Sequence, residues 1–222
     1  PITSIIKKPI INLPLQEHST TFGLLEKLDF QLLKRTPGFD LFTDGSILIR
    51  LEKNNEFGKA LILRSDEKAG QQFTDPAEVS VHWKPGTWFE NTLKEIPNIE
   101  AGHSPCGRFY EVSIGVADED YKPTIIFWQK QDFELVENDP DQHGYVTLQW
   151  QEFKLSVYKR KQCPHLFNSP ALTYFEPNMA DRIRQLKAKG ITLAQELTNS
   201  KGKVDNAILE TDEGVHFFLF AY

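Results

Sequence analysis

The sequence predicts an α+β protein in which strand-helix-strand-strand-strand (βαβββ) units follow one another and form curled mixed sheets around a cleft. The first observation is an internal repeat: residues 21–35 (TFGLLEKLDFQLLKR) and residues 124–138 (TIIFWQKQDFELVEN) share Thr, Lys, Asp, Phe and Leu at an offset of 103. Each stretch has a helical spacing of apolar residues, an Asp-Phe step and then a strand-like run. A fixed offset with a matching pattern indicates a duplicated structural unit.

The first half contains one complete βαβββ pattern. An edge strand is predicted over residues 9–15, and Ser19 or Thr20 is expected to cap a helix over residues 21–28. The Asp44-Gly45 pair is a strong signal for a hairpin between two of the following strands. Further strands are predicted at residues 30–34, 39–43, 46–51 and 59–64. Between residues 66 and 105 prolines interrupt the pattern, and only a strand over residues 77–83 and a helix over residues 88–95 are predicted.

The second half contains two βαβββ patterns. Pro123 suits the first turn of a helix over residues 123–131, and Asn178 is expected to cap a helix over residues 179–189. Strands are predicted at residues 108–116, 133–137, 144–150, 153–159, 171–176, 191–197, 205–210 and 215–222. These patterns predict an N-terminal half over residues 1–105, degenerate after about residue 65, and a C-terminal half over residues 106–222.

Composition excludes several classes of function. The chain has 222 residues, 40% of them hydrophobic, and a net charge of −6, so it can bury a large core and is a poor partner for nucleic acid or anionic membranes. The sequence lacks the long apolar run of a membrane span and the features of a signal peptide. With only Cys106 and Cys163, we expect reduced thiols in a cytoplasmic protein, and the sequence leaves room for a homodimer.

Several stretches resemble one known superfamily. Residues 110–120 (YEVSIGVADED) are similar to its opening strand, and residues 210–220 to its last hairpin. Residues 24–33 and 127–136 are similar to its helix, which ends in a Leu-Gly-Phe step where this chain has Asp-Phe. The chain therefore resembles the vicinal-oxygen-chelate superfamily, which includes glyoxalase I, bleomycin-resistance proteins and extradiol dioxygenases. The resemblance implies paired βαβββ units around a cup, with one divalent metal in the cup.

The metal positions implied by the resemblance are mostly occupied by residues that cannot bind a metal. They fall on Glu111, on or beside Ser156, on Leu172 and on Phe218, and in the first half near Ile10 and residues 49–50. One carboxylate does not make a metal site. The sequence therefore predicts no bound metal and no other cofactor, with a divalent metal as the alternative.

Strand alternation predicts which side chains face the cup. Glu111 and His216 are candidate catalytic residues that form an acid/base pair if they approach each other; the alternative is a hydrogen-bonded structural Glu and a solvated His. The predicted ligand-binding residues are Ser113, Trp150, Ser156, Tyr158, Tyr174 and Phe218. Aromatic walls of this kind stack flat organic ligands, although most aromatic residues of any domain belong to its core.

Two other motifs are weaker. His103-x-x-Cys106 and Cys163-x-His165 contain the ligands of a zinc site, but their spacing and neighbouring prolines favour ordinary loops. Residues 139–144 (DPDQHG) begin like a calcium loop, but Trp150 stands where the bidentate Glu is required, which favours a β-turn.

The function predicted from these features is binding of a small organic molecule in an aromatic-lined, metal-free cup. Two alternatives remain. One is an enzyme, either a metal-dependent lyase or dioxygenase or an acid/base catalyst using Glu111 and His216. The other is an interaction module whose cup is filled by its own side chains. An open cleft would exclude the interaction module.

Overall fold

The structure, a computed structural model, describes residues 2–5, 7–89 and 93–222. It contains three α-helices in this part of the chain, α1 (Thr21–Lys27), α2 (Asp118–Lys130) and α3 (Met179–Ala188), and a short 3-10 helix (Arg160–Gln162). The strands are β1 (Ile2–Ser4), β2 (Ile10–Pro14), β3 (Gln31–Arg35), β4 (Phe39–Thr43), β5 (Leu48–Glu52), β6 (Ala60–Arg64), β7 (Gln72–Thr74), β8 (Ser80–Lys84), β9 (Asn98–Glu100), β10 (Arg108–Val116), β11 (Glu134–Glu137), β12 (Tyr145–Trp150), β13 (Phe153–Lys159), β14 (Ala171–Phe175), β15 (Gln195–Thr198), β16 (Val204–Glu210) and β17 (His216–Phe220). None of these helices is long and apolar enough to cross a membrane.

The described strands form two large mixed sheets and one small ribbon. The first sheet has seven strands in the order β3-β4-β5-β2-β6-β8-β7, and the second has eight in the order β11-β12-β13-β10-β14-β17-β16-β15. The remaining strands, β1 and β9, pair with each other. Both large sheets are curled and unclosed, which confirms the predicted α+β class.

The two sheets repeat one topology. In the first, β2 runs parallel to β5 and antiparallel to β6; in the second, β10 runs parallel to β13 and antiparallel to β14. The helices α1 and α2 follow β2 and β10, so the repeated stretches found in the sequence occupy equivalent places. After β14 the chain forms α3, β15, β16 and β17, whereas β6 is followed in the first sheet by β7 and β8.

One apolar core joins both sheets and the helices. It contains fully buried side chains from one face of each sheet, such as Ile11 and Leu61 in the first and Val112 and Phe217 in the second. The rings of Trp83 and Trp150 meet edge-on in this core, with centroids 5.1 Å apart. Alternation along each strand then turns the opposite face of each sheet away from this core.

A turn near the end of the chain holds the start of α1. The Asp212 carboxylate accepts hydrogen bonds from the Thr20 backbone N–H (2.6 Å) and the Thr20 hydroxyl (2.8 Å). Glu213 accepts the Gln16 backbone N–H at 3.1 Å and the Thr21 hydroxyl. Negative charge at a helix N-terminus is stabilising. Thr20, one of the two residues predicted to cap this helix, is its N-cap residue. Its side chain makes no capping hydrogen bond within the helix.

Several predicted element boundaries are wrong. The helix α2 begins at Asp118, so Pro123 lies inside it; an acidic first turn favours this earlier start, and Pro123 already has a helical φ and costs the helix one N–H. Asn178 is the N-cap of α3, but its side chain accepts from the Arg182 Nε (3.1 Å) instead of capping. β15 begins at Gln195 instead of 191. The predicted helix at residues 88–95 lies partly outside the described residues, and its described positions are turns and bends.

Candidate functional site

The strand registers of the second sheet decide which side chains share the face turned away from the core. Glu111 lies opposite Thr173, and Thr173 lies opposite Phe218. Ser113 lies opposite Ser156 on the other neighbouring strand. With the alternation along each strand, the same face also carries Tyr145, Thr147, Tyr158, Ala171, Phe175, His216 and Phe220.

Glu111 is the centre of a buried polar network on this face. Its side chain is 1% exposed. One carboxyl oxygen accepts the Tyr158 hydroxyl at 2.8 Å and lies 3.4 Å from the Ser113 hydroxyl, and the other accepts the Ser156 hydroxyl. A carboxyl group that would be costly to bury alone is therefore surrounded by hydroxyl donors from β10 and β13.

Two threonines extend the network to the outer strands. The Thr147 and Ser156 hydroxyl oxygens lie 2.8 Å apart, and the Ser113 and Thr173 hydroxyl oxygens lie 2.7 Å apart. Four strands (β12, β13, β10 and β14) thus contribute hydroxyls that fix the orientation of one carboxyl group. A network satisfied in this way is rigid, because each member already has its partner.

The environment raises the pKa of the Glu111 carboxyl. Burial is the largest cause, because it disfavours the charged form, and the nearby negative charge of Glu137 adds to it. The hydrogen bonds from Ser156 and Tyr158 lower the pKa and oppose these effects. Glu111 is therefore a group that can hold or release a proton closer to neutral pH than an exposed glutamate.

An open groove of about 660 Å³ lies beside this network. Its polar lining consists of Arg108, Glu111, Glu137 and Thr147, and its aromatic lining of Phe109, Tyr110, Tyr145, Tyr158, Phe175, Phe220 and Tyr222. The rings of Tyr145 and Tyr158 are stacked, with centroids 5.1 Å apart and planes 11° apart. A pocket of this size with apolar walls and a few oriented polar groups is typical of sites for small organic molecules.

The rest of the cup is filled by the loop after β13. The Phe167 ring packs so closely on Gly115 that a Cβ at that position would lie 3.0 Å from it. Phe167 also meets Phe218 edge-on, with centroids 4.9 Å apart, and the His165 ring lies 4.8 Å from the same phenylalanine. Phe218 therefore packs under the loop, away from the open groove. The loop therefore covers the part of this face around Gly115, and the open groove lies near Glu111.

The structure separates Glu111 from His216. Glu111 lies on β10 and His216 on β17, with β14 between them. The Nδ1 atom of His216 accepts the Asn168 backbone N–H at 2.9 Å, and its Nε2 atom lies 3.6 Å from the Glu210 carboxylate. Burial lowers the pKa of His216. In the described part of the chain no hydrogen bond or ion pair joins the predicted acid/base pair.

Two predicted cup residues belong to the core instead. Tyr174 is fully buried and its hydroxyl donates to the Asp44 carboxylate of the first half at 2.8 Å. Trp150 packs against Trp83 and Phe133. Both lie on the core face, because each is one residue out of step with the cup-facing positions of its strand.

A divalent metal does not fit this face. The row that contains Glu111 continues with Thr173 and Phe218, and Leu172, predicted at a metal position, points into the core because the register places Thr173 in the cup. Within the described residues there is no group of three His, Cys, Asp or Glu side chains suited to a metal. A single carboxylate lacks the donor set that such a cation requires.

The two cysteines of the motifs that contain zinc-type ligands lie apart, which agrees with the preference for ordinary loops. Cys106 is buried in the core, where burial raises the pKa of its thiol to about 12. Cys163 lies on the other face of the second sheet, against Phe218 and Tyr158.

Sequence reasoning missed part of the groove. Glu137, Tyr145, Thr147, Thr173, Phe175, Phe220 and Tyr222 were not among its candidates. Alternation from Ser156 and Tyr158 across the hairpin would have found Tyr145 and Thr147, since these pairs lie directly opposite each other. Thr173 and Phe175 alternate with Tyr174 along β14. With the correct register for this strand, Thr173 and Phe175 would have been predicted to face the cup in place of Tyr174.

Comparison with known proteins shows which fold this is. A chain that joins a xylose isomerase-like TIM barrel to a 4-hydroxyphenylpyruvate dioxygenase matches all of this chain with a TM-score of 0.56 and 12% identity, over 49% of its own length. A mutant of 4-hydroxymandelate synthase from Streptomyces coelicolor matches 97% of the chain over 92% of its own, with a TM-score of 0.54 and 10% identity. The fold is that of the vicinal-oxygen-chelate superfamily.

A third structure with the vicinal-oxygen-chelate fold extends the comparison. The 2,2',3-trihydroxybiphenyl 1,2-dioxygenase from Sphingomonas wittichii strain RW1 matches 99% of the chain over 91% of its own, with a TM-score of 0.51 and 14% identity. This chain therefore spans about half of the first of the three proteins and most of the other two. No family model and no curated protein matches the sequence.

Proposed function

We propose that this protein binds a small, flat organic molecule in the groove beside Glu111, without a metal. The observation that carries the proposal is a fixed carboxyl group, 1% exposed, at the base of an aromatic groove of about 660 Å³. The vicinal-oxygen-chelate fold supports it, because the superfamily's cups hold small molecules, while the donor set here does not suit a metal. The ligand would stack on Tyr145 and Phe175 and donate a hydrogen bond to Glu111.

The test uses 2-naphthol, which has a flat ring system and a hydroxyl donor, and naphthalene, which lacks the donor. We expect 2-naphthol to shift the amide NMR signals of β10, β13 and β14 and to bind about tenfold more tightly than naphthalene, since a hydrogen bond to a charged group contributes about 1.5–3 kcal/mol. Glu111→Gln should reduce that preference. Glu152→Gln is the matched control, because this glutamate is highly exposed and outside the groove. Absence of binding by either probe would contradict the proposal and favour an interaction module with a filled cup.

An acid/base enzyme is a second candidate, and the raised pKa of Glu111 is the observation that favours it. The separation of Glu111 from His216 argues against a direct pair, so in this candidate Glu111 acts on the substrate and His216 supports it through the Asn168 loop. Loss of an activity in both Glu111→Gln and His216→Asn, with folding retained, would establish the enzyme. Retention of that activity in His216→Asn would remove His216 from it.

A further inference from the structure

The cup of the first sheet contains a cation from its own chain. The Arg50 side chain is 4% exposed as a residue and lies on the face turned away from the core. Its guanidinium carbon is 4.5 Å from the centre of the Phe39 ring, 5.2 Å from that of Phe57 and 5.9 Å from that of Trp88. Three aromatic rings around one guanidinium form a cation–π cage.

Carboxylates complete this cage. Arg50 Nη2 donates to Glu56 at 2.9 Å, Nη1 donates to the Asn12 side-chain oxygen at 2.8 Å, and Nη1 lies 4.0 Å from the Glu52 carboxylate. The remaining space in this cup is about 290 Å³. In the first cup, the aromatic rings and the carboxylates therefore both contact one planar cation, the Arg50 guanidinium group.

Strand register places Tyr158 where Arg50 would be in the second half. Ile10 pairs with Leu48 on its parallel neighbour, and Ser113 pairs with Ser156 on its own parallel neighbour. The 103-residue offset of the internal repeat matches Ile10 with Ser113, and these two residues pair with Ile62 on β6 and Ala171 on β14. Arg50 is two residues beyond Leu48, and Tyr158 is two residues beyond Ser156.

The second cup also has aromatic walls and carboxylates, but Tyr158 stands at the position of the buried Arg50. Glu111 lies at the base of the groove and Glu137 on its lining. Among the described residues no Lys or Arg forms an ion pair with either. Arg108 also lines the groove, but its mostly exposed side chain places Nε 3.9 Å from Glu176. Lys154 Nζ lies 4.5 Å from the centre of the Tyr110 ring.

We propose that the groove of the second sheet binds a small aromatic cation with a planar amidinium or guanidinium group, placed between Glu111 and Glu137 and against the rings of Tyr145 and Phe175. This ligand class rests on the proposed function and narrows it. The two carboxylates repel each other, and a cation between them removes that repulsion while gaining cation–π contacts. The bound ligand would thus provide the second cup with a planar cation, as the Arg50 side chain does in the first cup.

Benzamidinium and benzamide test this inference, because they differ in charge and have nearly the same shape. We expect benzamidinium to bind at least about tenfold more tightly, by NMR titration or calorimetry, with an affinity that falls as salt is added. Glu137→Gln, an exposed change that leaves the buried network intact, should reduce this preference several-fold, and Glu111→Gln should reduce it further. Glu152→Gln should leave it unchanged.

The outcomes separate the two proposals. Equal binding of benzamidinium and benzamide would overturn the cation inference and leave the proposed small-molecule function standing. A preference that survives both Glu111→Gln and Glu137→Gln would also overturn the inference, because the cation would then bind elsewhere. If neither these probes nor 2-naphthol binds, the groove is not a ligand site and both proposals fail.

Discussion

The cups of the two sheets share one arrangement of their first five strands and have very different contents. In the first, Arg50 takes the place of a ligand, and Asn12, Glu52 and Glu56 use their polar atoms on it or on the adjacent backbone. In the second, Glu111 is held by hydroxyl groups and faces a groove more than twice as large as the space left in the first. A duplicated unit thus provides one cup that is filled by its own arginine and one that contains an open groove.

The largest expected effect concerns Arg50, the cation that fills the cup of the first sheet. Arg50→Met removes the buried cation and leaves Glu56 and Asn12 without their partner, so we expect the free energy of unfolding to fall by about 4 kcal/mol. Chemical denaturation measures this change. Arg35→Met is the matched control: it removes a mostly exposed arginine 3.5 Å from Asp40, and should cost about 1 kcal/mol or less. A change of the same small size for Arg50→Met would show that the first cup does not depend on its internal cation.

The next effect concerns the loop that fills part of the second cup. Phe167→Ala removes the ring packed on Gly115 and Phe218, and we expect a loss of about 3 kcal/mol of unfolding free energy. The variant should also admit larger aromatic ligands than the wild type, because the groove would extend towards His165. If stability fell without any change in the size of ligand accepted, the loop would not limit the groove.

A smaller effect concerns Asp75, a buried carboxyl group outside both cups that can be compared with Glu111. Asp75 is buried beside Trp128, whose Nε1 donates to it at 3.1 Å, and burial raises its pKa to about 6. Between the ordinary pKa of 3.8 and about 6 the folded state keeps a proton that the unfolded state has lost, so stability falls as pH rises through this window. The shift of roughly two units corresponds to about 2–3 kcal/mol.

The measurement compares wild type with Asp75→Asn across pH. The unfolding free energy of the wild type, relative to that of the variant, should fall between pH 4 and pH 7, because the variant lacks the titrating group while other groups contribute equally to both. The burial that lowers the pKa values of His82 and His216 acts in the opposite direction and cancels in this difference. A difference that does not vary with pH would contradict the raised pKa of Asp75.

The smallest effect concerns one hydroxyl of the second cup. Tyr158→Phe removes the 2.8 Å donor to Glu111, which should lower the free energy of unfolding by about 1 kcal/mol and raise the pKa of Glu111 further. Titration of the Glu111 carboxyl by NMR follows the second change. Tyr145→Phe, the stacked neighbour, should leave that pKa unchanged and is the control.

The fold could be predicted from the sequence because its signals are local and repeated. The Asp-Phe steps after two helical patterns and the Asp44-Gly45 turn each depend on neighbouring residues, and the structure places them as expected. The site was harder, because it depends on registers between strands far apart in sequence. Glu111 and Tyr158 were found by alternation within single strands, whereas Tyr174 was assigned to the wrong face by a one-residue error that nothing local corrects.

Other features have no local signal at all. The cage around Arg50 depends on Phe57 and Trp88, which lie in loops, and the packing of Phe167 on Gly115 depends on how a loop crosses a sheet. Neither follows from periodicity. Pro123 shows that a local signal can also mislead. Proline generally favours the first turn of a helix, but here the acidic residues before it form the first turn and place Pro123 inside α2.

The contacts of Asp212 and Glu213 with the start of α1 have a consequence for how the chain folds. They join residues 192 positions apart, so these contacts at the start of the helix cannot form until the turn of the last hairpin is in place. Contacts between residues so distant in sequence slow folding, because the chain pays the entropy of a long loop before it gains them. On a ribosome, the N-terminal sheet would emerge first with the N-terminus of α1 still unsatisfied. The two halves are therefore not independent despite the duplicated architecture, because the second half supplies the hydrogen-bond acceptors at the start of α1 in the first half.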